Sequence, residues 1–169
     1  MKIAIIIPFK DFRDEEYFIP KEVFENSKIE VKTFSTLKGK ATGKLGGEAE
    51  VDETIDNLNA DDFNGIIFIG GPGAASHIEN QRCLEIAREA SRKTLGAICI
   101  APLILSEAGV LKGRQATVWS SPLDKSAVKE LKEKGAFYSE RDIVVDKNII
   151  TASGPEAAEL FAKEIIKIL

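Results

Sequence analysis

Two uninterrupted runs of aliphatic residues, Ile3-Ala4-Ile5-Ile6-Ile7 and Ile66-Ile67-Phe68-Ile69, limit what this chain can fold into. A strand with one wet face alternates apolar and polar residues, whereas one that is apolar throughout must be covered on both sides. The runs are too short to span a bilayer, and longer amphipathic stretches separate them. The patterns predict strands at residues 2–7, 29–34, 66–69, 95–98 and 115–118. They also predict a hairpin of 143–145 with 149–152 around Asp146-Lys147-Asn148, and helices at 15–26, 81–92, 100–108, 123–134 and 155–168. The glycine-rich segment 38–52 reads as a loop or small hairpin. Strands alternating with helices through right-handed crossovers give a flavodoxin-like three-layer α/β/α sandwich with a mostly parallel central sheet. The 169 residues contain no linker, repeat or low-complexity tract, so a single domain over 1–169 is expected.

The net charge is −4 and the basic residues are scattered, so nothing predicts a nucleic-acid partner. The first apolar run lacks the cleavage pattern of a secretory signal, which makes a cytoplasmic location the default expectation. Two cysteines and one histidine supply neither a disulfide framework nor a metal site. The turn Gly70-Gly71-Pro72-Gly73 lacks a P-loop lysine and a full dinucleotide fingerprint, and no cofactor is expected.

Ligands of open α/β sheets sit beyond the carboxyl ends of the strands, where strand order reverses. Asp11–Glu16, Gly70–Gly73 and Cys99 fall at such ends. "LGAIC" followed by "IAPLILSEAG" puts Cys99 on a tight strand-to-helix turn, where a side chain points out of the sheet. A helix N-terminus beside the sulfur would lower its pKa, and the amides of Ile100 and Gly71 are placed to form an oxyanion hole. The alternative for Cys99 is a buried structural thiol. Cys83, beside Leu84, Ile86 and Ala87, reads as core. His77 reads as an exposed residue near a helix start or as a base leaning into the pocket. Trp119 and Ser153 are candidate pocket walls, with a half-buried surface tryptophan and a helix start as their respective alternatives. From position alone, Glu16 is a solvated residue in a helix's first turn.

"AICIAPLILSEAGVLKG" (97–113) resembles the nucleophile elbow of the DJ-1/PfpI superfamily, whose fold is similar to that of class I glutamine amidotransferases. "FRDEEYFIP", "GKATGKLGGEAEVD", "FIGGPGA" and "IITASGPEAAELFAKEI" match the family's other segments in order, over nearly the whole chain. The resemblance implies Cys99 as nucleophile and Glu16, four residues before Pro20, as the carboxyl that hydrogen-bonds its sulfur. It implies a glyoxalase- or deglycase-like enzyme acting on small reactive carbonyls, and a homodimer or hexamer. Two other activities lie within it: a PfpI-type peptidase acting on peptides, and a non-enzymatic stress sensor that responds through oxidation of Cys99. The chain departs from the PfpI-type members at Ile100, where they carry a histidine. "WSSP" (119–122) likewise lacks the imidazole that deglycase relatives often place near the site.

Overall fold

The computed structural model describes residues 1–169. In chain order its elements are β1 (Lys2–Ile6), β2 (Lys10–Phe12), α1 (Asp14–Asn26), β3 (Glu30–Ser35), β4 (Gly39–Gly43), β5 (Glu48–Val51), β6 (Glu53–Thr54), β7 (Gly65–Phe68) and α2 (Ala75–Ile78). There follow α3 (Gln81–Glu89), β8 (Thr94–Ile98), α4 (Pro102–Glu107), β9 (Gln115–Ala116), α5 (Ser126–Glu133), β10 (Phe137–Tyr138), β11 (Ile143–Asp146), β12 (Ile149–Ala152) and α6 (Ala158–Ile168).

The central sheet has seven strands in the order β11-β12-β8-β7-β1-β3-β6. Every neighbouring pair is parallel except β11 with β12. Setting aside the short edge strand β6 and the hairpin partner β11, the strands run 2-1-3-4-5 in chain order, the flavodoxin-like arrangement. The chain leaves β1 to one side for β3 and returns on the other side as β7, so the crevice opens at the carboxyl ends of β1 and β7.

The apolar runs behave as two-sided strands. Ala4, Ile6, Ile66, Phe68, Leu95 and Ala97 face one core with Cys83, Ile86, Leu105, Val128 and Leu131 from α3, α4 and α5. Ile3, Ile5, Ile67, Ile69 and Ile98 face the other, against Tyr17 and Phe24 of α1 and Phe161 and Ile165 of α6. The alternation along each strand follows from the period of two in a pleated chain. No helix is long and apolar enough to cross a membrane.

The expected elements are present with shifted ends. The predicted strand at 115–118 is paired only over Gln115–Ala116, and with β10 rather than with the central sheet. The helix expected from Ile100 begins at Pro102, because Cys99-Ile100-Ala101 is spent on the turn. The helix expected from Leu123 begins at Ser126, and the Leu123 side chain is exposed. Segment 38–52 forms the β4–β5 hairpin, which joins β2 in a separate three-stranded sheet beside the site.

Candidate active site

Three connections meet at the carboxyl end of the sheet. After β8 the chain turns at Cys99, whose φ of +64° is a left-handed conformation that a residue with a Cβ seldom adopts. The turn is held on both sides: the Cys99 N–H donates to Ala152 O at 2.9 Å, and Cys99 O accepts from Trp119 N–H at 2.8 Å. After β7 the chain passes through Gly70 and Gly71. A Cβ on Gly70 would stand 2.6 Å from Cys99 Cβ and 2.8 Å from Glu16 Oε2, so only glycine lets the three groups meet. Gly71, with φ of +102°, needs glycine for its backbone conformation as well.

After β1 and β2, the first turn of α1 carries Glu16 into this junction with no exposed surface. Its Oε2 accepts the Gly70 N–H at 3.1 Å, and the Cys99 thiol lies within hydrogen-bonding reach of the carboxyl. Oε1 has no well-aligned partner. Burial pushes the Glu16 pKa up to about 8; the contacts with Cys99, Gly70 and Arg13 pull the other way and do not offset it. Glu16 is therefore mostly protonated at neutral pH. The solvated Glu16 that position alone would give is thus excluded.

Cys99 is partly exposed and lines a pocket of about 400 Å³ together with Arg13, Glu16, Gly71, Ile100 and Trp119. The amides of Gly71 and Ile100 lie beside the sulfur and favour its charged form. The expectation of a simply depressed thiol is corrected here. Burial, and next the Glu16 carboxylate, push Cys99 up to about 12. The adjoining helix α4 has only six residues and starts three positions later, so its dipole gives little relief. The two groups are best treated as a pair. The carboxyl holds its proton up to about 8, and the thiol up to about 12 because burial first, and then the carboxylate charge, oppose its ionisation. In the intermediate state one negative charge and one proton are shared, with two amides on the sulfur side.

The remaining sequence candidates divide. Trp119 lines the pocket. Ser153 lies in an adjoining groove that shares Trp119 and Glu156 with the pocket, and its Oγ is bonded to Asp142 at 3.2 Å. His77 is neither exposed nor a pocket base: α2 buries it to 2% exposure along a different groove with Phe9 and Leu37, and burial lowers its pKa to about 4. Cys83 is fully buried, as expected of a core residue. Sequence reasoning missed Arg13 and Glu156 as pocket residues. Their one signal was position, next to Glu16 and next to the Ser153-Gly154-Pro155 wall.

A thiol on a strained strand-to-helix elbow, beside a buried carboxyl at the carboxyl end of a 2-1-3-4-5 sheet, marks a flavodoxin-like α/β protein with a cysteine at its elbow. Comparison with known proteins agrees: the chain belongs to the DJ-1/PfpI family, whose model matches residues 1–168. An uncharacterized protein of Methanocaldococcus jannaschii is 42% identical over 171 residues, covering 99% of this chain and 82% of the relative. Deglycase PfpI of Pyrococcus furiosus is 32% identical over 171 residues, covering 100% of this chain and 99% of its own. Among solved structures, a ThiJ/PfpI domain protein from Brachyspira murdochii superposes with a TM-score of 0.93 at 28% identity, covering 99% of this chain and 95% of that one.

Proposed function

We propose that the protein is a cysteine-dependent enzyme of glyoxalase or deglycase type, acting on small reactive carbonyls with Cys99 as nucleophile and Glu16 as proton carrier. The observation that carries this reading is the junction itself: a thiol held at positive φ in an open pocket, with a protonated buried carboxyl on one side and two free-facing amides on the other. The deglycase name of a full-length relative supports the same class.

With methylglyoxal, the sulfur of the singly charged pair adds to the aldehyde carbon and the carbonyl π electrons move to oxygen. The Gly71 and Ile100 amides stabilise that oxyanion, and Glu16 delivers the proton that completes the hemithioacetal. Glu16, now a carboxylate, takes the proton from the former aldehyde carbon and returns it at the ketone carbon, while the proton of the hemithioacetal hydroxyl passes to the ketone oxygen through the enediol. The first carbon is thereby oxidised to a thioester and the second reduced to an alcohol. Water then cleaves the thioester to lactate and restores the thiol. No step needs an external oxidant.

Incubation with methylglyoxal should release lactate, and Cys99→Ser and Glu16→Gln should abolish the release. Lactate formation unchanged in Cys99→Ser, or none from the native protein, would sink the reading. A peptidase reading is weaker, because Ile100 follows the nucleophile and His77 lines a separate groove. A redox-sensor reading draws on the partial exposure of Cys99 and the unpaired Glu16 Oε1, which can serve an oxidised sulfur. Mild peroxide would then add two oxygens at Cys99, and a mass increase found elsewhere would remove that reading.

A further inference from the structure

The N-terminus of α1 has no side-chain cap: Arg13 occupies the cap position and its guanidinium pairs instead with Glu15, at 2.9 Å from Nε. An uncapped first turn leaves its amides unpaired and tends to fray. Glu16 lies in that turn, and the pairing with Cys99 requires it to stay in one place. Two tethers hold the turn from outside. On the site side, Arg13 N–H donates to Gly70 O at 3.1 Å. On the far side, the Asp14 carboxylate accepts the Leu45 N–H at 2.7 Å and the Gly47 N–H at 2.7 Å.

Both of those amides belong to the glycine-rich tip of the β4–β5 hairpin. Asp14 is only 8% exposed, and charge-assisted bonds to backbone amides in such a site are strong and geometrically selective. The tip is shaped around it. A Cβ on Gly47 would come within 2.5 Å of Asp14 Oδ1 and 2.6 Å of the Phe18 ring, and one on Gly43 would also strike the Asp14 carboxylate. The hairpin is in turn fastened to the chain just before α1, with Lys44 N–H donating to Phe12 O at 2.8 Å and Thr42 N–H to Phe9 O at 3.0 Å.

We infer that Asp14 is a positioning residue for Glu16, and that the β4–β5 hairpin, through Asp14, locks the first turn of α1 so that the carboxyl shares its proton with Cys99. This rests on the proposed pairing of Glu16 with Cys99 and assigns a role to a hairpin that is hydrogen-bonded to neither group.

The test is the pH dependence of Cys99 alkylation by iodoacetamide, located by peptide mass, in the full-length native protein and in Glu16→Gln, Asp14→Ala, Asp14→Asn and Gly47→Ala. The native profile should break near pH 8, where Glu16 ionises and its charge begins to oppose ionisation of the sulfur, and Glu16→Gln should lose that lower step, raising the rate above pH 8 by about tenfold. Asp14→Ala should behave like Glu16→Gln although both Glu16 and Cys99 are intact. Gly47→Ala should do the same by displacing an unaltered Asp14, and Asp14→Asn, which keeps one acceptor oxygen, should fall between. Should Asp14→Ala fail to fold, Gly47→Ala and Asp14→Asn decide the matter. A merely structural role lowers the thermal midpoint and leaves the lower step in place; that result in the folded variants overturns the inference alone. Retention of the lower step in Glu16→Gln overturns the pairing itself, and the role of Asp14 with it.

Discussion

The two cysteines form a natural comparison, because burial pushes both thiols up to about 12 and yet the sites around them differ. Cys83 lies on α3 among Ile86, Leu84 and Ala87, fully enclosed in the larger core. Its ionisation would put an isolated charge among hydrocarbon side chains, and nothing nearby takes its proton. Cys99 stands at the edge of a pocket beside a carboxyl that is itself too buried to ionise at neutral pH. There the cost of one charge is spread over two groups and offset by the Gly71 and Ile100 amides. Burial alone therefore does not distinguish the two thiols; the titratable neighbour and the two amides do.

The largest test of that contrast is thermodynamic. Glu16 holds its proton up to about 8 in the native protein, against 4.5 when exposed. Below the lower value both folded and unfolded chains are protonated and the native state has its full stability. As pH rises from there towards 8, the unfolded chain loses the proton while the native state keeps it, so stability falls. At about 1.4 kcal/mol for each tenfold in protonation, the loss is about 5 kcal/mol. Glu16→Gln should lack this fall and show only the rise that buried His77 gives both proteins between about 4 and 6.5, so the difference between the two denaturation series isolates Glu16. Parallel series would mean that Glu16 ionises freely and that the two cysteines differ only in depth.

A second test is kinetic. In the native protein at pH 8.5, alkylation should modify Cys99 at least about a hundredfold faster than Cys83, with Cys83 reacting only after unfolding. Comparable rates, read from peptide masses, would break the comparison.

How much of this contrast the sequence carries depends on which forces set it. The uninterrupted runs at Ile3–Ile7 and Ile66–Ile69 specify two-sided burial by themselves, and with the alternating helices they lead to the parallel sheet. Cys99 was legible because small residues before it and a helix pattern after it allow little except a sharp turn. Glu16 was not legible from its own neighbourhood, since an acid in a helix's first turn is ordinarily solvated. It becomes a candidate through the family resemblance, and its buried partner, the Gly70 amide, lies in the turn after β7, some fifty residues away. His77 was misjudged for the same reason: its local pattern is that of an exposed helix start, whereas tertiary packing covers it. Segment 38–52 reads from sequence as a loop or small hairpin, but the anchoring role of its glycines is not legible there, because it depends on Asp14, a partner from another element.

Serine substitutions extend the comparison to stability. Cys83→Ser puts a hydroxyl in a fully apolar setting and should cost roughly 1–3 kcal/mol. Cys99→Ser meets a carboxyl, two amides and the pocket, and should cost less than about half as much. Equal losses in chemical denaturation would show that the surroundings of Cys99 are no more polar in effect than those of Cys83.

The smallest expected effect concerns the backbone. Cys99 sits at φ +64°, a conformation that costs about 1 kcal/mol or more for a residue with a Cβ. Glycine normally destabilises relative to alanine because it loses more freedom on folding. At position 99 the order should invert, with Cys99→Gly more stable than Cys99→Ala by about 1 kcal/mol. At position 83, inside α3, the ordinary order should hold and Cys83→Gly should be the less stable of its pair by about the same amount. An inversion at 99 without one at 83 means that the fold stores strain at Cys99 and not at the core thiol. If alanine is preferred at both positions, the elbow is not strained, and the placement of Cys99 rests on its hydrogen bonds to Ala152 and Trp119 alone.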